Sequence, residues 1–265
     1  MPGSATSKAT VPLFTRRRFG AIAGGALASL ALGQACRSEP REGGDGRLAA
    51  RPRATVKTSA TGERALGLGG ARDAILQVPA QATSGPLPLF VLLHGANGTG
   101  AGVLRRLGSA ADRMGIAVLA PDSRDSSWDA IRGDFGPDVT FVNRALERVF
   151  DSVAVDPQRV AVGGFSDGAT YALSLGLING DLFHRVVAFS PGFVVEGTSH
   201  GRPDFFISHG TADPILPIES CSRLIVPSLR TRGYDVTFRE FDGGHDVPAG
   251  IALDAMRWVA AASPA

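Results

Sequence analysis

Apolar residues along the chain alternate between two patterns. Short dense runs occupy residues 72–78, 87–93, 116–120, 159–165, 185–189, 204–208 and 236–241. The run at 87–93 reads LPLFVLL between Pro86 and His94-Gly95, and the run at 116–120 stops at Pro121. Runs this short, closed by Pro or Gly, predict buried strands. Between them, apolar positions recur every three or four residues, as in Phe141, Val142, Ala145, Leu146, Val149 and Phe150. That spacing predicts helices over 102–114, 141–152, 169–178, 219–232 and 247–260. Strand and helix in repeated order over some 200 residues specify an α/β class: a mostly parallel sheet with helices on both faces. No internal repeat, second domain or extended apolar insertion that could form a large lid interrupts the pattern.

The pattern is absent before residue 70, and there the charge changes the picture. The chain of 265 residues carries 27 Lys+Arg and 25 Asp+Glu, a net charge of +2. Residues 1–35 contribute +4, residues 36–70 contribute +3, and residues 71–265 are at −5. The body is therefore acidic, which argues against nucleic acid as a partner. With 44% hydrophobic and 20% charged residues, the composition is globular and excludes a disordered chain.

Thr15-Arg16-Arg17-Arg18-Phe19 followed by the Gly/Ala-rich stretch 20–33 has the layout of an export signal. Its paired arginines resemble a twin-arginine motif. Leu32-Gly33-Gln34-Ala35-Cys36 resembles a bacterial lipobox, in which Cys36 is lipidated and anchors the protein to a membrane. Plain cleavage after Ala35 is the alternative. The expected layout is a signal peptide over 1–35, a flexible tether over 36–70 and a folded domain over 71–265, exported from the cytoplasm. The second cysteine, Cys221, reads as a packed thiol.

Four loops at predicted strand ends carry candidate chemistry, because ligands of such sheets bind beyond the carboxyl ends of the strands. Gly164-Phe165-Ser166-Asp167-Gly168 lies between a strand and a helix. A G-x-S-x-G turn in that context lifts the serine hydroxyl out of the backbone, and a Gly-rich turn with an ordinary serine is the alternative. A serine nucleophile needs a base and the base needs an orienting acid. His245 follows the last strand, and Asp213 follows the strand at 204–208. Asp242 and Asp246 are rival acids by proximity in sequence, but the order Ser166, Asp213, His245 favours Asp213. An acyl-transfer oxyanion needs backbone donors, for which Asp167 and Ala96 are the candidates, with Asn97 beside them in His94-Gly95-Ala96-Asn97-Gly98-Thr99-Gly100. Trp128 and Phe193, each in a loop after a strand, are candidates for lining a substrate pocket.

Other chemistries fit less well. Gly98-Thr99-Gly100 mimics a dinucleotide fingerprint but lacks its third glycine, and no G-K-[ST] follows. His94, His209 and His245 lack metal-site spacing, so no metal or organic cofactor is expected.

Together HGANGTG, GGFSDGA, SHGTADPILP and GGHDVP resemble serine esterases of the phospholipase/carboxylesterase group within the α/β-hydrolase superfamily. They are also similar to secreted feruloyl-esterase and polyhydroxybutyrate-depolymerase-like proteins. The resemblance covers about residues 72–260. It implies an α/β-hydrolase fold and hydrolysis of small-molecule carboxylic esters. It also implies Ser166 as nucleophile, His245 as base, Asp213 as acid, and the N–H groups of Ala96 and Asp167 as oxyanion hole. Thioesterase relatives carry Gln where this chain has Asp167, and acyl transfer to other acceptors is an alternative use of the same residues.

Overall fold

The computed structural model describes residues 44–53, 58, 60–82 and 85–261. Eight strands form one sheet: β1 (Gly62–Ala65), β2 (Ala74–Val78), β3 (Leu87–Leu93), β4 (Ala117–Pro121), β5 (Val155–Phe165), β6 (Arg185–Phe189), β7 (Asp204–Gly210) and β8 (Val236–Phe241). Their spatial order is β1-β2-β4-β3-β5-β6-β7-β8. The pairs β1–β2 and β2–β4 are antiparallel, and every pair from β4–β3 to β7–β8 is parallel. Six helices connect them: α1 (Gly100–Arg113), α2 (Asp129–Arg132), α3 (Pro137–Ser152), α4 (Asp167–Ile178), α5 (Ser222–Thr231) and α6 (Ala249–Ala260). Among these helices none is long and apolar enough to cross a membrane.

The period of two along β3 assigns its side chains to two cores. Leu89, Val91 and Leu93 pack with apolar residues of α3, α4 and α5, whereas Phe90 and Leu92 pack with those of α1 and α6. Both faces of the strand are buried, which is why its sequence is an unbroken apolar run. The first turn of α1 is closed by Thr99, whose side chain accepts from the Gly102 N–H at 3.1 Å. Pro137 opens α3, where its missing N–H costs nothing.

Residues 44–53 and 60–68 depart from the tether expected over 36–70. Leu48 is 1% exposed, and its N–H donates to Asn179 Oδ1 at 2.8 Å. The Asn179 amide returns a bond to the Gly46 carbonyl, and Asn143 Oδ1 accepts from both Ala49 and Ala50. Arg47 and Arg51 converge on Asp181, and β1 joins the sheet edge through β2. The segment is a strap across α3 and the end of α4, held by partners more than ninety residues away in sequence. The signal-peptide expectation and Cys36 lie outside the described residues.

Candidate active site

The parallel strands deliver four loops to one end of the sheet. β5 runs directly into Ser166, which adopts φ 59° and ψ −121° before α4 begins at Asp167. A positive φ on a serine is strained, and it turns the side chain out of the strand-to-helix corner. Gly164 and Gly168 permit that corner. A Cβ on Gly164 would stand 2.5 Å from the Leu93 carbonyl oxygen, and one on Gly168 would stand 2.3 Å from it. The glycines of the motif thus let β3 and the corner pack backbone to backbone.

Ser166 makes no side-chain cap to its own helix; its Oγ lies 2.9 Å from His245 Nε2. The other ring nitrogen, Nδ1, lies 2.6 Å from Asp213 Oδ2. An ionised carboxylate only accepts, so Nδ1 carries the proton and Nε2 is left to accept from the serine hydroxyl. Asp213 Oδ1 accepts from the Ile215 and Leu216 N–H groups, each at 2.9 Å. Burial pushes the Asp213 carboxyl up, but the Leu216 N–H, the His245 ring and the Ile215 N–H outweigh burial and hold it below its ordinary value. The imidazole of His245 rests against Phe165, ring centres 4.7 Å apart, and the Arg106 guanidinium lies over Phe165 at 4.6 Å. Asp246 pairs with Arg106 and Asp242 is exposed, so neither rival acid meets the imidazole.

The loop after β3 is pinned from behind. His94 Nε2 accepts from the Ser123 N–H at 3.0 Å, which leaves Nδ1 to donate to the Gly95 carbonyl at 2.7 Å. Burial lowers the His94 pKa and keeps the ring in this neutral form. Gly95 lies against Ser166: a Cβ there would be 3.2 Å from Ser166 Cβ. Among the described residues, the N–H groups of Ala96 and Asp167 take no hydrogen-bond partner at this end of the sheet. The Asp167 carboxylate is turned aside, accepting from Ser127 Oγ at 2.5 Å.

The remaining candidates fall differently. Asn97 adopts φ 56°, is exposed, and gives its N–H to the Ser126 carbonyl at 2.6 Å, so its backbone serves the turn. Trp128, expected over the site, is fully buried behind the loop. Its indole N–H donates to the His94 carbonyl at 2.8 Å, and its ring stacks on Tyr171. Burying the largest side chain while satisfying its one donor holds the loop from below rather than contacting a ligand. Phe193 is half-buried in the loop after β6. His94 holds the loop after β3, and His209 closes β7 in the same way. Their only sequence signal is a histidine closing an apolar strand before glycine, in LLHG and ISHG.

The sequence pattern of the phospholipase/carboxylesterase family matches residues 139–257, a span that contains Ser166, Asp213 and His245. Feruloyl esterase C of Emericella nidulans is 25% identical over 215 residues, 68% of this chain and 78% of that protein. The S-formylglutathione hydrolase of Bos taurus is 31% identical over 139 residues, 43% of this chain and 49% of that one. Feruloyl esterase C apart, the chain spans about half or less of the length of the curated relatives it matches. Among solved structures, an S-formylglutathione hydrolase from Agrobacterium tumefaciens superimposes with a TM-score of 0.60 at 18% identity, over 78% of this chain and 98% of that one. Strand-end loops, sheet order and similarity thus agree: the chain has an α/β-hydrolase fold, and its residues 139–257 are similar to the phospholipase/carboxylesterase family.

Proposed function

We propose that the protein is a serine hydrolase of small carboxylic esters, with Ser166, His245 and Asp213 acting as one catalytic unit. The observation that carries this reading is the pair of bonds through His245, 2.9 Å to Ser166 Oγ and 2.6 Å to Asp213 Oδ2. Ser166 Oγ attacks the ester carbonyl as its proton passes to His245 Nε2. Asp213, held ionised, stabilises the imidazolium through Nδ1–H. The free N–H groups of Ala96 and Asp167 receive the oxyanion of the tetrahedral intermediate. His245 then returns the proton to the leaving alcohol oxygen. Water, activated by the same imidazole, hydrolyses the acyl-enzyme and restores the serine.

Ser166→Ala removes the nucleophile while leaving the corner packed. It is expected to lower turnover of p-nitrophenyl esters by about 10⁴-fold or more and to abolish fluorophosphonate labelling, with the thermal midpoint little changed. Retained labelling on the folded variant would overturn the assignment. We further propose, from residues 15–36 alone, that the protein is exported and carried on a lipid at Cys36.

A further inference from the structure

His209, the penultimate residue of β7, is fully buried and makes three polar contacts. Its Nδ1 lies 2.7 Å from Ser222 Oγ. Its Nε2 lies 2.7 Å from the Leu216 carbonyl oxygen and 3.3 Å from Asp213 Oδ2. A carbonyl only accepts, so Nε2 carries the proton and Nδ1 accepts from the serine hydroxyl. Asp213 therefore stands between two imidazoles. His245 reaches Oδ2 from the nucleophile side, and His209 approaches the same oxygen from within the protein.

We propose that His209 is a positioning residue for Asp213, holding the carboxylate and its turn in the geometry that the His245 base requires. This rests on the proposed hydrolase reading. The bonds form a closed ring: His209 Nε2–H fixes the Leu216 carbonyl, the Leu216 N–H fixes Asp213 Oδ1, and Asp213 Oδ2 faces both rings. Removing His209 frees both the turn and one side of Oδ2. The remaining titratable groups nearby are Glu240, which stands opposite His209 on β8 and pairs with Arg223 of α5, and the Cys221 thiol beside Ser222. Burial lowers the His209 pKa against the pull of Leu216 and Asp213, and the charge of His245 works in the same direction as burial. A neutral ring suits the task, since an imidazolium at this position would compete with the imidazolium of His245 for one carboxylate oxygen. The Ser222 hydroxyl, placed as donor on Nδ1, reinforces that neutral form.

Two substitutions separate positioning from packing. His209→Gln places an amide N–H where Nε2–H stood, whereas His209→Asn keeps a polar group toward Ser222 and withdraws the donor from Leu216 and Asp213. With a p-nitrophenyl ester, His209→Asn is expected to lower kcat by roughly 10- to 100-fold with KM nearly unchanged, because the residue touches no substrate. The acidic limb of its kcat/KM profile should move up by roughly half a pH unit, since Oδ2 then gives its charge to His245 alone. His209→Gln should restore most of kcat and the original limb. Equal losses in both variants with unmoved limbs would overturn the proposal while leaving the hydrolase reading intact. A wild-type protein without esterase turnover would overturn both. Should either variant fail to fold, ¹⁵N-resolved imidazole spectra of the wild type decide: the neutral Nε2–H form of His209 is expected at pH 7. An Nδ1–H or doubly protonated ring at pH 7 would refute it.

Discussion

Asp138 is a carboxylate with almost no water around it, 1% exposed at the start of α3. Burial pushes its pKa up to about 6; the Arg124 N–H opposes this at 2.5 Å, and the charge of Asp129 adds to it. The folded protein therefore binds a proton here between about pH 4 and 6 that the unfolded chain releases. A raised carboxyl makes stability grow as pH falls through the folded value, until the group is protonated in both states near its ordinary value. Relative to Asp138→Asn, the wild type should gain roughly 2–3 kcal/mol between pH 7 and pH 4, read from urea unfolding at each pH. A constant difference across that range would show that Asp138 is ionised as usual. Legibility in the sequence divides along the same line. Ser166, Asp213 and His245 can be read because chemistry imposes a fixed motif and chain order on them. Asp138, His94 and His209 cannot, because each meets a backbone group of a loop 7 to 29 residues away, which no side-chain motif marks.

At the scale of elements, β3 and the strap stand at opposite ends of what patterning reveals. β3 is buried on both faces, so its residues must all be apolar and the run announces itself. The strap buries Leu48 and Ala50 among arginines and a proline, and it satisfies its backbone through Asn143 and Asn179 on two helices. No period exists in such a segment, which is why it reads as a linker. The short α2 escapes the pattern for a related reason: its Asp129 is engaged with the Gly136 and Asp138 N–H groups, which bonds alone define. The strap's role has a direct consequence. A chain beginning at Gly44 should match the full-length chain in urea midpoint. A chain beginning after Arg53 should lose about 3 kcal/mol or more, from the buried Leu48 and from amide partners left unpaired inside the protein. Equal stability of the two truncations would return residues 44–53 to the status of a tether.

Over the whole molecule, the charge divides near residue 70, whereas the described fold already includes the strap from Gly44 and β1. The body from residue 71 is at −5 and holds every side chain of the candidate site, whereas the first 35 residues are at +4 and hold none. The net +2 therefore describes no surface that a substrate meets. Gly44, the first described residue, is bonded to the Phe135 carbonyl at 2.7 Å and stands eight positions after Cys36 in the sequence. Eight residues span at most about 29 Å when extended. If Cys36 carries a lipid as proposed, the body is held within about that distance of the bilayer by Gly44 and the strap. Cells expressing the full chain should then incorporate labelled palmitate into the protein and retain its esterase activity in the membrane pellet. Cys36→Ala should release the activity to the soluble fraction, unlabelled and with the same turnover per molecule, because the side chains of the candidate site all come from residue 71 onward. One acyl chain binds a membrane only marginally, so retention in the pellet calls for more than one chain on Cys36 or for a second contact. A Cys36→Ala protein that still sediments with membranes, or a wild type that takes up no label, would refute the anchor and leave the hydrolase assignment of Ser166 untouched.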